Sequence, residues 1–83
     1  MQTQMTEKNS KTLNVTGMLC PIPVLRARRV LDSMQTGEKL TITASDPASI
    51  HDMPAFCKMA GHKLLMAHEA NGVIVFEVEK GSA

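Results

Sequence analysis

The sequence is poor in aromatic side chains and in cysteine. Its 83 residues include no Trp, no Tyr and two Phe, and its two cysteines, Cys20 and Cys57, stand far apart. Two Phe offer few surfaces on which nucleic-acid bases could stack, so we expect no direct binding to nucleic acid. The cysteines form neither a Cys-X-X-Cys redox motif nor a disulfide framework, which indicates a reducing compartment.

The sequence also lacks an excess of charge and any long hydrophobic run. Nine Lys and Arg against eight Asp and Glu leave a net charge of +1, which gives no strong overall attraction to nucleic acid or membrane. No apolar run approaches the length of a membrane span, and the first dozen residues lack the apolar segment of a signal peptide. We therefore expect a soluble cytoplasmic protein. Residues 1–11 are predicted to be a disordered lead-in, residues 12–80 a single domain and residues 81–83 a tail.

The spacing of hydrophobic residues predicts the first half of the domain. Leu13 and Val15 alternate with polar residues, as in a short strand that ends at Gly17. The following segment has helical spacing, with one core-facing arc made of Val24, Ala27, Val30, Leu31 and Met34. Residues 39–44 alternate again and predict a second strand.

The second half is predicted to contain a helix and a hairpin. Asp52-Met53-Pro54 has the form of a helix start, so the regular part of the second helix is expected to begin there and to end at Ala60. A continuous helix bent at Pro54 is the alternative. The apolar stripe of this segment comprises Ile50, Met53, Cys57 and Ala60, which makes Cys57 a buried core residue. Asn71-Gly72 predicts a two-residue hairpin turn between strands 63–70 and 73–80.

These elements predict a two-layer α+β sandwich with the order βαβαββ. Right-handed crossovers would place both helices on one face of a four-stranded mixed sheet. The first strand then delivers Cys20 to the beginning of the first helix, at one end of the sheet.

The most distinctive motif is Cys20-Pro21-Ile22-Pro23. A residue before proline disfavours the helical conformation, whereas proline suits the first helical position, so Cys20 is predicted at the N-cap and Pro21 at N1. At a helix N-terminus the free amides and the helix dipole lower a cysteine pKa. Because the prolines have no N–H, the amide of Ile22 is the donor left to face the sulfur. We therefore expect Cys20 to be partly ionised at neutral pH and nucleophilic.

The first helix also has an outward face beside Cys20. Two apolar and two basic residues point away from the core arc, namely Ile22, Leu25, Arg26 and Arg29. Such a mixture is typical of a surface that docks a partner protein, although loose amphipathicity explains it equally well.

The motifs together resemble the TusA (SirA-like) sulfur-carrier family. The resemblance covers about residues 12–80 and rests on Asn14, Gly17, Cys20-Pro21-Ile22-Pro23, Gly37-Glu38, Ser45-Asp46-Pro47, Asp52-Met53-Pro54-Ala55-Phe56-Cys57 and Gly61-His62. It implies that Cys20 accepts sulfane sulfur as a persulfide from a donor protein, such as a cysteine desulfurase or a rhodanese, and passes it to an acceptor protein. It further implies service in tRNA thiolation, molybdenum-cofactor metabolism or sulfur oxidation, with no cofactor beyond the transient persulfide.

The resemblance also bears on individual residues. Pro21, Ile22 and Pro23 match the motif around the cysteine, and Arg28 and Asp46 match polar positions that look functional in the family. Many relatives carry Asp where this sequence has Asn14. The absence of that negative charge favours a thiolate at Cys20.

Two other kinds of function compete with a sulfur carrier. Cys20, Cys57, His51, His62 and His68 have the right donor atoms for a metal, but the two cysteines are not spaced as a zinc-binding pair, so no metal site is predicted. A non-catalytic regulatory or RNA-binding module would use the basic face of the first helix, which contains Arg26, Arg28 and Arg29.

Overall fold

Two helices and four strands follow one another in the predicted order βαβαββ. The computed structural model describes residues 10–82. Its elements are β1 (Ser10–Val15), α1 (Ile22–Asp32), β2 (Lys39–Ala44), α2 (Ser49–Ala60), β3 (Lys63–Ala70) and β4 (Val73–Glu79). The predicted α+β fold class is confirmed.

The strands form one mixed sheet in the order β1-β2-β4-β3. β1 is parallel to β2, and β4 is antiparallel to both of its neighbours. On β2 the buried residues Leu40, Ile42 and Ala44 alternate with half-buried ones, and each lies opposite a buried residue of β4. The buried side chains of β2 and β4 therefore share one face, against which both helices pack, as predicted.

The core lies between the helices and this face of the sheet. The fully buried side chains include Val15, Leu31, Leu40, Ile42, Met53, Phe76 and Val78. The predicted core arc is confirmed: Ala27 and Leu31 are buried, and Val24 and Val30 pack against the core. Met34 is buried as well, but it lies just after α1, which ends at Asp32.

Helix α2 begins earlier than its main prediction. It runs continuously from Ser49 with Pro54 inside it, so the alternative of one continuous helix is correct. The Asp46 side chain accepts the Ala48 N–H at 3.1 Å, and this contact supports the chain just before the first turn. Of the predicted apolar stripe, Met53 and Cys57 are buried, but Ile50 is 38% exposed. The placement of Ile50 in the core is wrong: in the first turn of α2 it is Ser49, 2% exposed, that is buried in place of Ile50.

The ends of the domain also differ from the prediction. Ser10 and Lys11 belong to β1 rather than to the lead-in, and residues 1–9 of that segment lie outside the described residues. At the other end, the Gly81 N–H donates to His62 Nδ1 at 3.0 Å, so Gly81 is attached to the domain rather than being part of a free tail. Ala83 lies outside the described residues.

The β3–β4 hairpin turns at Asn71-Gly72 as predicted. Asn71 has φ 55° and Gly72 has φ 82°, and two consecutive positive φ angles are the signature of a type I′ turn. Within residues 10–82 no helix is long and apolar enough to cross a membrane.

Candidate functional site

Two loops at one edge of the sheet build the surroundings of Cys20. β1 and β2 are adjacent and parallel, so the loops that follow them leave the sheet at the same edge. Gly17, with φ 82°, turns the chain after β1, and its N–H donates to Ser45 Oγ at 2.7 Å. This bond joins the loop that contains Cys20 to the loop that contains Asp46.

Cys20 lies in a turn that precedes α1. The Cys20–Pro21 peptide bond is cis, and the Ile22 N–H donates to the Leu19 carbonyl oxygen at 2.8 Å, which closes a turn over residues 19–22. Pro21 is the N-cap and Ile22 is the first helical residue. The prediction of Cys20 at the N-cap and Pro21 at N1 is therefore wrong by one position. The Ile22 N–H, which is expected from the sequence to face the sulfur, donates to the Leu19 carbonyl oxygen instead.

Two carboxylates from the β2–α2 segment contact Cys20. Asp46 Oδ2 accepts the backbone N–H of Cys20 at 2.6 Å. Asp52 Oδ2, from the first turn of α2, accepts the thiol S–H at 2.9 Å from Sγ. Asp46 thus holds the backbone of the cysteine, while Asp52 contacts its sulfur atom.

These carboxylates reverse the expected ionisation of Cys20. The hydrogen bond to Asp52 raises the pKa of the Cys20 thiol above its ordinary value, and desolvation and the negative charges of Asp52 and Asp46 add to the rise. The prediction that the helix start lowers the Cys20 pKa is therefore wrong, because the shift has the opposite direction. The local effect of the helix N-terminus is outweighed because the helix begins after Cys20 and two negative groups lie nearer.

The sulfur opens onto an apolar depression between the two helices. Its volume is about 380 Å³, and it is lined by Cys20, Pro21, Val24, Asp52, Ala55, Phe56 and Met59. Cys20 is exposed. A partner's sulfur atom can therefore approach Cys20 without any opening of the fold.

The other motif residues lie around this site in different ways. Pro23 is a buried residue in the first turn of α1, whereas Pro21 borders the depression. Arg28 lines a second depression with Asp32, Phe56, Met59, Ala60 and His62, and does not border the one at Cys20. Asn14 Oδ1 accepts the N–H and the hydroxyl of Thr16 at 3.0 and 2.7 Å, so its bonds stay within its own loop.

The predicted partner-binding residues form one surface. Ile22, Leu25, Arg26 and Arg29 are exposed and together line a shallow depression on the outer side of α1. Ile22 is 41% exposed and Leu25 is 52% exposed. We call this set the outer face of α1.

The second cysteine has the opposite environment. Cys57 is 1% exposed and belongs to the core, which confirms its predicted burial. Burial raises the pKa of the Cys57 thiol to about 11.

Among residues 10–82, no three His, Cys, Asp or Glu side chains converge in a way that could hold a metal ion.

Asp52 is the site residue that sequence reasoning missed. The pattern Asp52-Met53-Pro54 predicts a helix start, a role that uses the carboxylate to bind backbone amides. Because α2 already begins at Ser49, Asp52 lies inside its first turn and is available to the thiol. A signal was present in the match of Asp52 to the family motif, but nothing in the sequence paired it with Cys20.

Three comparisons with known proteins give matches that are consistent with one another. Residues 11–80 match the family model described as "Sulfurtransferase TusA". The chain is 48% identical over 71 residues to "Putative sulfur carrier protein NMA0882" of Neisseria meningitidis, which spans 86% of this chain and 96% of that protein. It is 38% identical over 68 residues to "Sulfur carrier protein TusA" of Allochromatium vinosum, covering 82% and 90%. The crystal structure of a SirA-like protein from Desulfitobacterium hafniense superposes with a TM-score of 0.58 at 27% identity, covering 86% and 97%.

Proposed function

This chain belongs to the TusA sulfurtransferase family, whose relatives include named sulfur carriers, and we propose that it holds sulfur as a persulfide on Cys20. The observation that carries the proposal is the contrast between the two cysteines. Cys20 is exposed at the mouth of an open depression, whereas Cys57 is enclosed in the core. Of the two thiols, Cys20 is the one that a partner's sulfur can reach.

The transfer step is a thiol–persulfide exchange. Cys20 Sγ attacks the outer sulfur of a donor persulfide, a new S–S bond forms to Cys20, and the donor's S–S bond breaks. The donor cysteine leaves as a thiolate that takes up a proton. No net oxidation or reduction occurs. In delivery, an acceptor nucleophile attacks the outer sulfur of the Cys20 persulfide and Cys20 leaves.

The proposal requires two classes of partner. A sulfur carrier needs a protein that donates sulfur and another that accepts it. We propose a cysteine desulfurase or a rhodanese as the donor, in the cytoplasm, and a sulfur-acceptor protein in tRNA thiolation, cofactor metabolism or sulfur oxidation as the recipient. The open depression at Cys20 supports this because it leaves room for part of a partner's active site.

The outer face of α1 is the proposed docking surface. It begins at Ile22, two residues after Cys20, and combines exposed aliphatic side chains with Arg26 and Arg29. Aliphatic residues can act as anchors, and arginines speed encounter with an acidic partner. Such association is expected to weaken as salt concentration rises.

An RNA-binding module finds less support in the structure. Phe76 is fully buried and Phe56 is half-buried in the wall of the depressions, so neither ring is fully exposed for a base to stack on. The three arginines of α1 are also divided, since Arg28 borders a different depression from Arg26 and Arg29. The sulfur-carrier function therefore accounts for more of the surface around Cys20.

Mass spectrometry after incubation with a sulfane donor tests the proposal. The wild-type protein and Cys57→Ala should each gain about 32 Da, and Cys20→Ser should gain nothing. Treatment with dithiothreitol should remove the added mass. Equal gains in the two single-cysteine variants, or no gain in the wild type, would contradict a persulfide held on Cys20.

A further inference from the structure

The hydrogen bond between Cys20 and Asp52 places a proton acceptor on the reacting atom. Asp52 Oδ2 lies 2.9 Å from Cys20 Sγ, within the range at which a side chain can act as a general base. The carboxylate belongs to the first turn of α2, whereas Cys20 belongs to the turn before α1, so the contact is made by two independent elements. Asp52 also borders the depression through which a partner's sulfur must approach.

The same contact poses a problem for sulfur transfer. The nucleophile in thiol exchange is the thiolate, yet two carboxylates lie at Cys20 and oppose its ionisation. The charged groups that act on the thiol are Asp46, from the β2–α2 loop, and Asp52, from α2. From the α1 side, Pro21 and Val24 line the depression onto which the sulfur opens, and they carry no charge. If only the free thiolate attacked, only the small fraction of molecules with an ionised Cys20 would react at neutral pH.

We propose that Asp52 is a catalytic residue that relays the proton between Cys20 and the partner's sulfur during persulfide transfer. This inference rests on the proposed function and adds a residue to it. As Cys20 Sγ bonds to the outer sulfur of the donor persulfide, its proton passes to the Asp52 carboxylate. The donor's S–S bond breaks, and the departing thiolate takes the proton from Asp52.

Delivery of the sulfur runs through the same steps in reverse. The acceptor thiol gives its proton to Asp52 as its sulfur attacks the outer sulfur of the Cys20 persulfide. Cys20 leaves and is reprotonated by Asp52. A thiol with a raised pKa is a poor leaving group as a thiolate. Protonation of Cys20 by Asp52 therefore accelerates delivery, in which Cys20 is the leaving group, more than it accelerates loading. Atoms and electrons balance in both directions without an oxidant or a reductant.

The pH dependence of loading separates this relay from a purely electrostatic effect. The variant is Asp52→Asn, and the matched control is Asp32→Asn, which makes the same substitution away from the site. Asp32 is the last residue of α1, about 15 Å along the helix from Ile22, the helical residue nearest to Cys20 in the chain. Glutathione persulfide is the donor between pH 6 and pH 9, and the initial rate of mass gain on Cys20 is measured. Both proteins react with the same donor at each pH, so the ratio of the wild-type rate to the variant rate is independent of how far the donor is ionised.

The relay predicts a ratio for Asp52→Asn of about ten or more at pH 6, because general acid–base catalysis typically contributes about 10²–10⁴-fold and the larger thiolate fraction of the variant offsets part of it. The ratio should fall towards one by pH 9, where the variant has abundant thiolate. The ratio for Asp32→Asn should stay near one throughout. Alkylation of Cys20 by iodoacetamide at pH 7 should meanwhile be faster in Asp52→Asn than in the wild type, because removal of the carboxylate favours the thiolate.

The opposite pH dependence would overturn the relay. If Asp52 only suppresses ionisation, the ratio lies below one at pH 6 and rises towards one as the pH increases. A ratio of one at every pH would equally refute the inference. If Asp52→Asn shows no cooperative melting transition, Asp52→Ser carries the same test, with the same expected profile. A wild-type protein that loads no faster than Cys20→Ser would instead refute the proposed function, and the inference with it.

Discussion

Cys57 should be almost unreactive as long as the protein is folded. The test uses Cys20→Ser, which leaves Cys57 as its single thiol, and compares it with Cys57→Ala, which leaves Cys20. The side chain of Cys57 is 1% exposed and lies among the core residues under the sheet. Two separate effects therefore protect it: its sulfur is out of reach of a reagent, and burial disfavours its thiolate.

The ionisation effect alone is large. The pKa of the Cys57 thiol is about 11, so about one molecule in a thousand carries the thiolate at pH 8. An ordinary thiol with a pKa of about 8.5 is roughly one-quarter ionised at that pH. The native state should therefore react at least about 200-fold more slowly than the unfolded chain from ionisation alone, and more slowly still because the sulfur is covered.

The assay is the rate of iodoacetamide addition at pH 8, followed by mass spectrometry. Cys20→Ser is measured in buffer and in concentrated guanidinium chloride, where Cys57 becomes an ordinary thiol. Cys57→Ala provides the rate for the exposed Cys20 under the same native conditions. A native rate for Cys57 within tenfold of its rate in denaturant would refute the burial argument. It would also remove the reason for assigning mobile sulfur to Cys20 alone.

The remaining predictions concern docking and the core. Leu25→Asp should slow persulfide transfer from a sulfur-loaded protein donor about tenfold or more while changing the unfolding free energy by less than about 0.5 kcal/mol, because Leu25 is 52% exposed. Leu65→Asp on β3, where Leu65 is 41% exposed, is the matched control, and equal slowing by both would contradict docking through the outer face of α1. Met53→Ala should lower the free energy of unfolding in urea by about 2–5 kcal/mol, because Met53 is fully buried. A loss below about 1 kcal/mol would show that α2 packs less tightly than its burial indicates.

Most of the fold follows from local patterns in the sequence. The alternation in β2, the helical spacing of Ala27, Leu31 and Met34, and the turn residues Asn71-Gly72 each act within a few neighbouring positions. Such patterns decide which face of an element is buried, and so the sheet and its helices were predictable. The start of α2 was less so, because Pro54 is compatible with both a helix start and a bent helix. The contacts of the Asp46 loop before Ser49 favour the longer helix.

The sequence by itself distinguished the exposed cysteine from the buried one. Cys20 lies in a proline-rich turn that faces outward, and Cys57 falls on an apolar stripe, so the two thiols could be told apart before the fold was known. The tertiary structure decided the state of the thiol. Asp52 is 32 positions from Cys20 in the chain and meets it because two parallel strands end at the same sheet edge. Sequence patterns describe neighbouring residues, whereas a pKa depends on whichever charges lie within a few ångströms, and here those charges come from a distant segment.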